Sequence, residues 1–364
     1  MQEIKFGLVG TGHWAQIAHA PALELSGTNG IAFTAVWGRD HQASSDLAAR
    51  HGASAYQDFG AFLAEVDAVA FAVPPNVQST LALRAAQAGK HLLLEKPIAL
   101  SVVEADRLVA AVERAGVATV VFFTSLFQAD VRSWLAGLAA RGDWAGGSAV
   151  WLGTALQEGN PFNTPWRREK GGLWDLAPHL IAVLSAGLGE VVSVTADHGP
   201  MDVAHLVLHH VGGASSAITV TLSASEEAAL LDLFVWGAGG RSRAPRESDD
   251  AVGALRTALG ELAEGARSGK NEHACDVRFG RHVVRLLADA QRQLDARLGA
   301  GQDGVSGARD TSGHAVEPAQ SMGTGLPGAA RSRRYRRGCR LHVDRRDAAG
   351  YRRIDDRCDA GRVH

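Results

Sequence analysis

Asp175 and His179 stand four residues apart in the stretch NPFNTPWRREKGGLWDLAPHLIAVL, Asn160 to Leu184. On a helix that spacing puts a carboxylate and an imidazole on one face, and such a pair can move a proton near neutral pH. Pro178 is tolerated only near a helix start, which places the pair in an N-terminal turn. Gly171-Gly172 frees the backbone just before it. A capping aspartate and a packed histidine fit the same spacing, so the pair alone does not decide between chemistry and structure. The three cysteines, Cys275, Cys339 and Cys358, have no metal-binding spacing and make no disulfide framework, so no metal is expected.

A second chemical signal opens the chain. Ile4, Phe6, Leu8 and Val9 read as a buried strand, Gly10-Thr11-Gly12 as a tight turn and Trp14 to Leu25 as a helix. Gly10 permits a turn that a Cβ would obstruct, Gly12 lets backbone approach a pyrophosphate, and Ala15 lets the helix lie close to the strand. The phosphates of a dinucleotide would sit on the unpaired N–H groups of that helix.

The elements that must hold these residues alternate strand and helix through the first third of the chain. Strands are predicted at Ile31 to Trp37, Ala68 to Val73, His91 to Glu95 and Thr119 to Phe123. Helices are predicted at Gln42 to His51, Ala61 to Glu65, Val77 to Ala88, capped by Asn76, and from a capping box at Ser101 to Glu104 as far as Ala115. Right-handed crossovers of this length give a doubly wound parallel sheet, with ligands at the carboxyl ends of its strands. Gly10, Gly38, Pro74 and Glu95 all fall just past such ends. After the second strand, where an acid would hold the ribose 2′-hydroxyl of NAD, the chain reads Gly38-Arg39. A guanidinium beside a small residue suits a 2′-phosphate, so NADP is expected over NAD. Asp40 is the rival, favouring NAD if it occupies the ribose position; otherwise it caps the next helix.

The second half is predicted to hold a helix at Gln128 to Ala140, then strands at Ala149 to Leu156, Val191 to Ala196, Ala204 to His209, Ala217 to Leu222 and Leu230 to Trp236. Helices follow at Ala251 to Arg267 and Val277 to Leu298. The fold class is therefore α/β: an N-terminal Rossmann domain (1–123), and a C-terminal α/β domain (124–300) with a large open sheet, mostly antiparallel or mixed. A sheet with helices on one side leaves its other face to be covered, so a homo-oligomer is expected.

The 364 residues are 46 % hydrophobic with a formal net charge of −2, enough for a sizeable core and without a nucleic-acid surface. No basic leader precedes the first strand, and no uninterrupted apolar run reaches the ~18 residues of a membrane span. A cytoplasmic protein acting on a small molecule, with neither nucleic-acid nor membrane partner, is the expectation. Residues 301–364 carry 13 Arg, no Lys and 8 acidic residues with few large apolar ones. That segment is expected to be disordered, and one explanation of its composition is a shift of reading frame near Gly299 in a GC-rich gene.

Three segments together, GLVGTGHWA at Gly7 to Ala15, AGKHLLLEKPIAL at Ala88 to Leu100 and GGLWDLAPHLI at Gly171 to Ile181, resemble the Gfo/Idh/MocA family of oxidoreductases, in order and at its usual spacing. The resemblance implies catalysis by Lys96, Asp175 and His179 on a sugar, sugar derivative or cyclitol. His179 would be general base, Lys96 would stabilise the alkoxide, and Asp175 would orient substrate or imidazole. It also implies cofactor contacts from Gly10, Thr11, Gly12, His13, Trp14, Pro74, Asn76, Glu95 and Lys96, and a cis bond before Pro97. Gln78 stands where the family often has His, and Thr124 to Phe127 where it often has an Arg-rich segment. Both positions touch substrate in the family, as Trp166, Arg167 and Arg168 could here. A sensor that binds the dinucleotide without turning it over is the alternative; it would have no need of a proton-transfer pair.

Overall fold

The computed structural model describes residues 2–245 and 250–306. The chain opens with β1 (Ile4–Val9), a π-helical turn (Ala15–His19) and α1 (Ala20–Glu24), followed by β2 (Ile31–Trp37), α2 (His41–Arg50), β3 (Ser54–Tyr56) and α3 (Phe59–Ala64). Next come β4 (Ala68–Phe71), α4 (Pro75–Gln87), β5 (His91–Glu95), α5 (Val102–Ala115) and β6 (Thr119–Phe122). These strands form one parallel sheet in the order β3-β2-β1-β4-β5-β6. All four residues of β4 are buried, as a central strand covered on both faces requires. The strand order reverses between β1 and β4, and Gly10 marks the spot. Its φ is +123°, and a Cβ there would lie 2.3 Å from the Ala72 carbonyl oxygen.

The second half contains α6 (Ala129–Arg141), β7 (Trp144–Leu152), α7 (Pro165–Asp175), α8 (Ala177–Leu188), β8 (Val191–His198), β9 (Ala204–His210), β10 (Ser215–Thr221), β11 (Leu230–Gly237) and β12 (Gly240–Arg243). Helices α9 (Ala251–Ser268) and α10 (Val277–Ser306) follow. The second sheet runs β12-β11-β7-β10-β9-β8 and is mixed: β7 and β10 are parallel, the other neighbours antiparallel. Leu206, Leu208, Ile218, Val220, Ala149, Leu233 and Val235 point to its buried face, on which α8 packs. On the other face Val207 pairs with Ala217 and Thr195, and Val207, Leu230 and Trp236 are exposed.

Several elements differ from the sequence reading for local reasons. The first helix begins as a π turn, with Ala20 N–H bonded to the Ala15 carbonyl. Asn76 is not a cap: α4 starts at Pro75 with Pro74 in the cap position, since Pro75 is preset for a first helical residue and needs no N–H there. Strand β7 begins at Trp144, before the expected Ala149. Gly146 and Gly147 disguise it, yet each is needed for packing, because a Cβ would lie 2.5 Å from Trp236 at the one and 2.9 Å from Leu184 at the other. The three-residue β3 and the edge strand β12 have no periodic signal. Helix α9 packs against α1, β5 and β6, and Val121 N–H bonds the Cys275 carbonyl at 2.7 Å, so residues beyond Ala251 return to the first sheet. Helix α10 runs past Leu298 to Ser306; the tail reading beyond that point, with Cys339 and Cys358, lies outside the described residues.

The stretch Pro165–Leu188, although charged residues interrupt it, is long enough and on average apolar enough to cross a membrane, and 83 % of its most apolar part is buried inside the protein. It is the central helical element of the second half, interrupted by Gly171 (φ 62°, ψ −166°). Cys275 is buried, and burial pushes its thiol up to about 12.

Candidate active site

Lys96 follows β5, and the Lys96–Pro97 peptide is cis. Its ammonium donates to the Asp175 carbonyl at 2.7 Å and to Asp175 Oδ1 at 2.9 Å. The other carboxylate oxygen, Oδ2, accepts from Arg167 Nε at 2.8 Å. The Asp175 side chain is 7 % exposed, that of Lys96 10 %. Burial alone would raise this carboxyl, but the charges of Lys96 and Arg167, with a hydrogen bond from each, hold it far below the usual carboxylate range. Arg167 is itself sandwiched, its guanidinium 4.7 Å from the Trp166 ring and 5.4 Å from that of Phe162. Arg168 instead bonds Asn163 at the surface.

His179 lies in the first turn of α8 behind Pro178, as its spacing requires, while Asp175 ends α7 and Leu176 separates the two helices. Both carboxylate oxygens are bonded, one to Lys96 and the other to Arg167. His179 is buried beside Trp151, with 5.6 Å between ring centroids. Its Nδ1 has no hydrogen-bond partner among the described residues. Burial pushes this histidine well below its ordinary value of 6.5. The positive charge of Lys96 adds to the shift, Asp175 opposes it and Arg167 reinforces it. The direction of the shift keeps the ring neutral near pH 7.

The glycine pair before these residues has a physical cause that the sequence conceals. Asp202, in the β8–β9 turn, accepts from Gly172 N–H at 3.0 Å and Leu222 N–H at 2.7 Å through Oδ2, and from the Thr221 hydroxyl at 2.6 Å through Oδ1. A Cβ on Gly172 would lie 3.0 Å from the Thr221 backbone, and one on Gly171 3.0 Å from Asp202 Cβ. Asp202 therefore pins the break that sets the direction of α7. No motif marks it. Gln78 was visible only as a departure from the family pattern, and it is fully buried. Its Oε1 accepts from Glu95 N–H at 2.8 Å, and its Nε2 donates to the Glu95 carbonyl at 2.7 Å and the Pro97 carbonyl at 3.3 Å. It grips the backbone on both sides of Lys96.

Across the same edge lies the glycine turn. The Phe162 ring is 5.3 Å from His13 and 6.1 Å from Trp14, so the loop before α7 reaches the turn after β1. Glu95 Oε1 accepts from Trp14 Nε1 at 2.7 Å and from His19 Nε2 at 2.8 Å. Nothing lies within 4 Å of a Cβ built on Gly12, which leaves the backbone there approachable by a phosphate group. A side chain at Gly38 would meet Ser44 Oγ at 2.9 Å and Thr11 Cγ2 at 3.0 Å. Asp40 caps α2 through Ala43 N–H at 3.1 Å, while Arg39 is exposed. Pro74 and Asn76 are exposed just past β4. These residues fit a dinucleotide. Among the described residues no group of three or more His, Cys, Asp or Glu could hold a metal ion.

A parallel sheet in this order, with a glycine turn at its switch point and a Lys–Asp–Arg cluster beside it, defines an α/β protein of the Rossmann class. Residues 4–123 match the model of the GFO_IDH_MocA oxidoreductase family, NAD-binding Rossmann fold. Over that stretch, about a third of its length, the chain is similar to the NAD-binding domain of those oxidoreductases. It is 36 % identical over 119 residues to an uncharacterised oxidoreductase of Rhizobium meliloti, covering 32 % of this chain and 35 % of that one. It is 36 % identical over 100 residues to a galactose 1-dehydrogenase of Pseudomonas fluorescens, covering 27 % and 30 %. The matched part is thus about a third of the length of these relatives. In three dimensions it is similar to a myo-inositol dehydrogenase from Corynebacterium glutamicum, with a TM-score of 0.69 and 17 % identity over 81 % of this chain and 97 % of that one, a likeness of fold.

Proposed function

We propose that the protein is an NADP-preferring, NAD(P)-dependent oxidoreductase that interconverts a hydroxyl and a carbonyl on a sugar, sugar derivative or cyclitol. The observation that carries this reading is the buried Lys96–Asp175–Arg167 ion cluster beside a neutral His179. Gly10, Thr11, Gly12, His13, Trp14, Gly38, Arg39, Pro74, Asn76 and Glu95 would hold the dinucleotide. When bound, it supplies the hydride acceptor or donor.

Lys96 has three N–H donors, and two are spent on Asp175. The third is left to stabilise the oxygen of a developing alkoxide. His179 takes the hydroxyl proton in oxidation and returns it in reduction. Asp175 serves by orienting Lys96. Trp166 and Arg167 border the site and would contact substrate, Arg167 with the part of its guanidinium not bound to Asp175. Arg39, with a small residue before it, favours a 2′-phosphate, and the cap that Asp40 makes on Ala43 N–H supports that reading over one in which Asp40 holds the ribose.

We read residues 1–123 as the dinucleotide domain and 124–300 as the substrate domain, completed by the return of α9 to the first sheet. The exposed sheet face around Val207 and Trp236 would pair with a second copy, as light scattering of the purified protein would report, and a reducing cytoplasm suits the buried thiol. Purified protein with NADP or NAD and a panel of sugars and polyols, followed by nicotinamide absorbance, tests the activity. Turnover supports it; tight dinucleotide binding with no turnover on any substrate would favour a sensor.

A further inference from the structure

Trp14 and His19 are five residues apart, and both donate to a single oxygen of Glu95. In an α-helix, with about 3.6 residues per turn, positions i and i+5 are separated by roughly 140° and cannot reach one atom. The segment between them is the π turn Ala15–His19. A turn closed by i→i+5 hydrogen bonds is wider and brings i and i+5 back to one face. The π geometry is thus what sets an indole and an imidazole together on Glu95 Oε1. His19 is 1 % exposed, its ring lies edge-on to Phe122, and its Nδ1 is without a partner among the described residues, so its one polar contact is the carboxylate. Gln78 fixes the backbone of the same residue from the other side. Glu95 is therefore held at its amide, its carbonyl and one carboxylate oxygen, and Oε2 has no partner among the described residues.

We propose that the π turn is a positioning device. Trp14 and His19 lock Glu95 Oε1 so that Oε2 faces the glycine-turn crevice and accepts a hydrogen bond from a ribose hydroxyl of the bound dinucleotide. This rests on the dinucleotide reading above. His19 is a positioning residue that acts through Glu95 and does not itself touch the ligand.

The test uses the full chain and has one readout without any ligand. In the apo protein, the Trp14 indole N–H resonance, assigned with Trp14→Phe, moves in His19→Leu and in Glu95→Gln. By calorimetry, His19→Leu weakens NADP binding roughly tenfold, the loss of one charge-assisted hydrogen bond. His19→Gln, which restores an N–H near the same place, recovers affinity to within about threefold of wild type on the same scale. The double variant His19→Leu/Glu95→Gln is no weaker than Glu95→Gln alone, because the two residues act through one contact. If His19→Leu does not fold, His19→Gln and Trp14→Phe carry the comparison. A folded His19→Leu that binds NADP as wild type does, or losses that add in the double variant, overturns the positioning role alone. Wild-type protein that binds neither NADP nor NAD overturns the dinucleotide reading and this inference with it.

Discussion

The Lys96 ammonium grips Asp175 at two points, its carbonyl at 2.7 Å and its carboxylate at 2.9 Å, across 79 positions of sequence. This contact ties the end of the first sheet to the helix break of the second half. Among the described residues it leaves the lysine one donor without a partner, and it makes the cluster sensitive to the loss of any member.

Lys96→Met should lower kcat by roughly a hundred- to a thousandfold, as removal of a donor to a developing oxyanion does, with NADP affinity changed only a few-fold. Steady-state kinetics beside calorimetric binding would check it. An equal loss of affinity and turnover would place Lys96 in binding alone.

Asp175→Asn strands two cations beside a neutral amide in a buried site. Breaking such a pair from one side costs about 3–5 kcal/mol, so thermal unfolding should shift down by several degrees. An unchanged melting temperature would mean that the ion cluster contributes no stability.

The pH dependence follows from the directions of the shifts. His179 is held below 6.5 in the folded protein, so kcat/KM for oxidation should show no His179 protonation step between pH 8 and 6.5 and should fall only in more acid solution. His179→Ala should abolish turnover and leave dinucleotide affinity nearly intact. Because the unfolded chain binds the His179 proton more readily, this residue's contribution to stability is full above 6.5 and declines as pH falls below it.

Glu261, bonded to Arg132 and His273, is lowered from 4.5 to about 2. Burial opposes the shift and the hydrogen bonds from His273 and Arg132 overcome it. Its contribution is present above 4.5 and lost as pH falls toward 2, so the Glu261→Gln variant should lose less stability than wild type over that interval in acid denaturation.

Gly172→Ala places a methyl 3.0 Å from the Thr221 backbone. Overpacking of this kind costs about 1–3 kcal/mol, and displacement of α7 from β10 should lower kcat more than it weakens NADP binding. Arg39→Ala should weaken NADP about tenfold, one charge-assisted contact to phosphate, and leave NAD unchanged.

Much of this could be read from the chain. The strand at Ile4, the turn at Gly10 and the capping box at Ser101 are local: hydrophobic period, φ freedom and cap chemistry are each written within a few residues. Strand β7 begins before its periodicity does because its glycines admit Trp236 and Leu184, partners distant in sequence. The π turn has no local signal for the same reason, since it is explained by Glu95 and not by its own residues.

The sequence by itself determined that strands alternate with helices and that a glycine turn opens a parallel sheet; Asp175 and His179 stood out by their spacing, and Lys96 as a candidate only through the resemblance. Tertiary structure alone decided that Asp175 bonds Lys96 and Arg167, that Asp202 pins the glycine pair, and that Gln78 is a buried clamp. The reason is that residue type and spacing set what a side chain can do and which way its own element runs. Which partner it meets depends on packing between segments far apart in the chain, where burial and charge choose among contacts that local geometry leaves equally open.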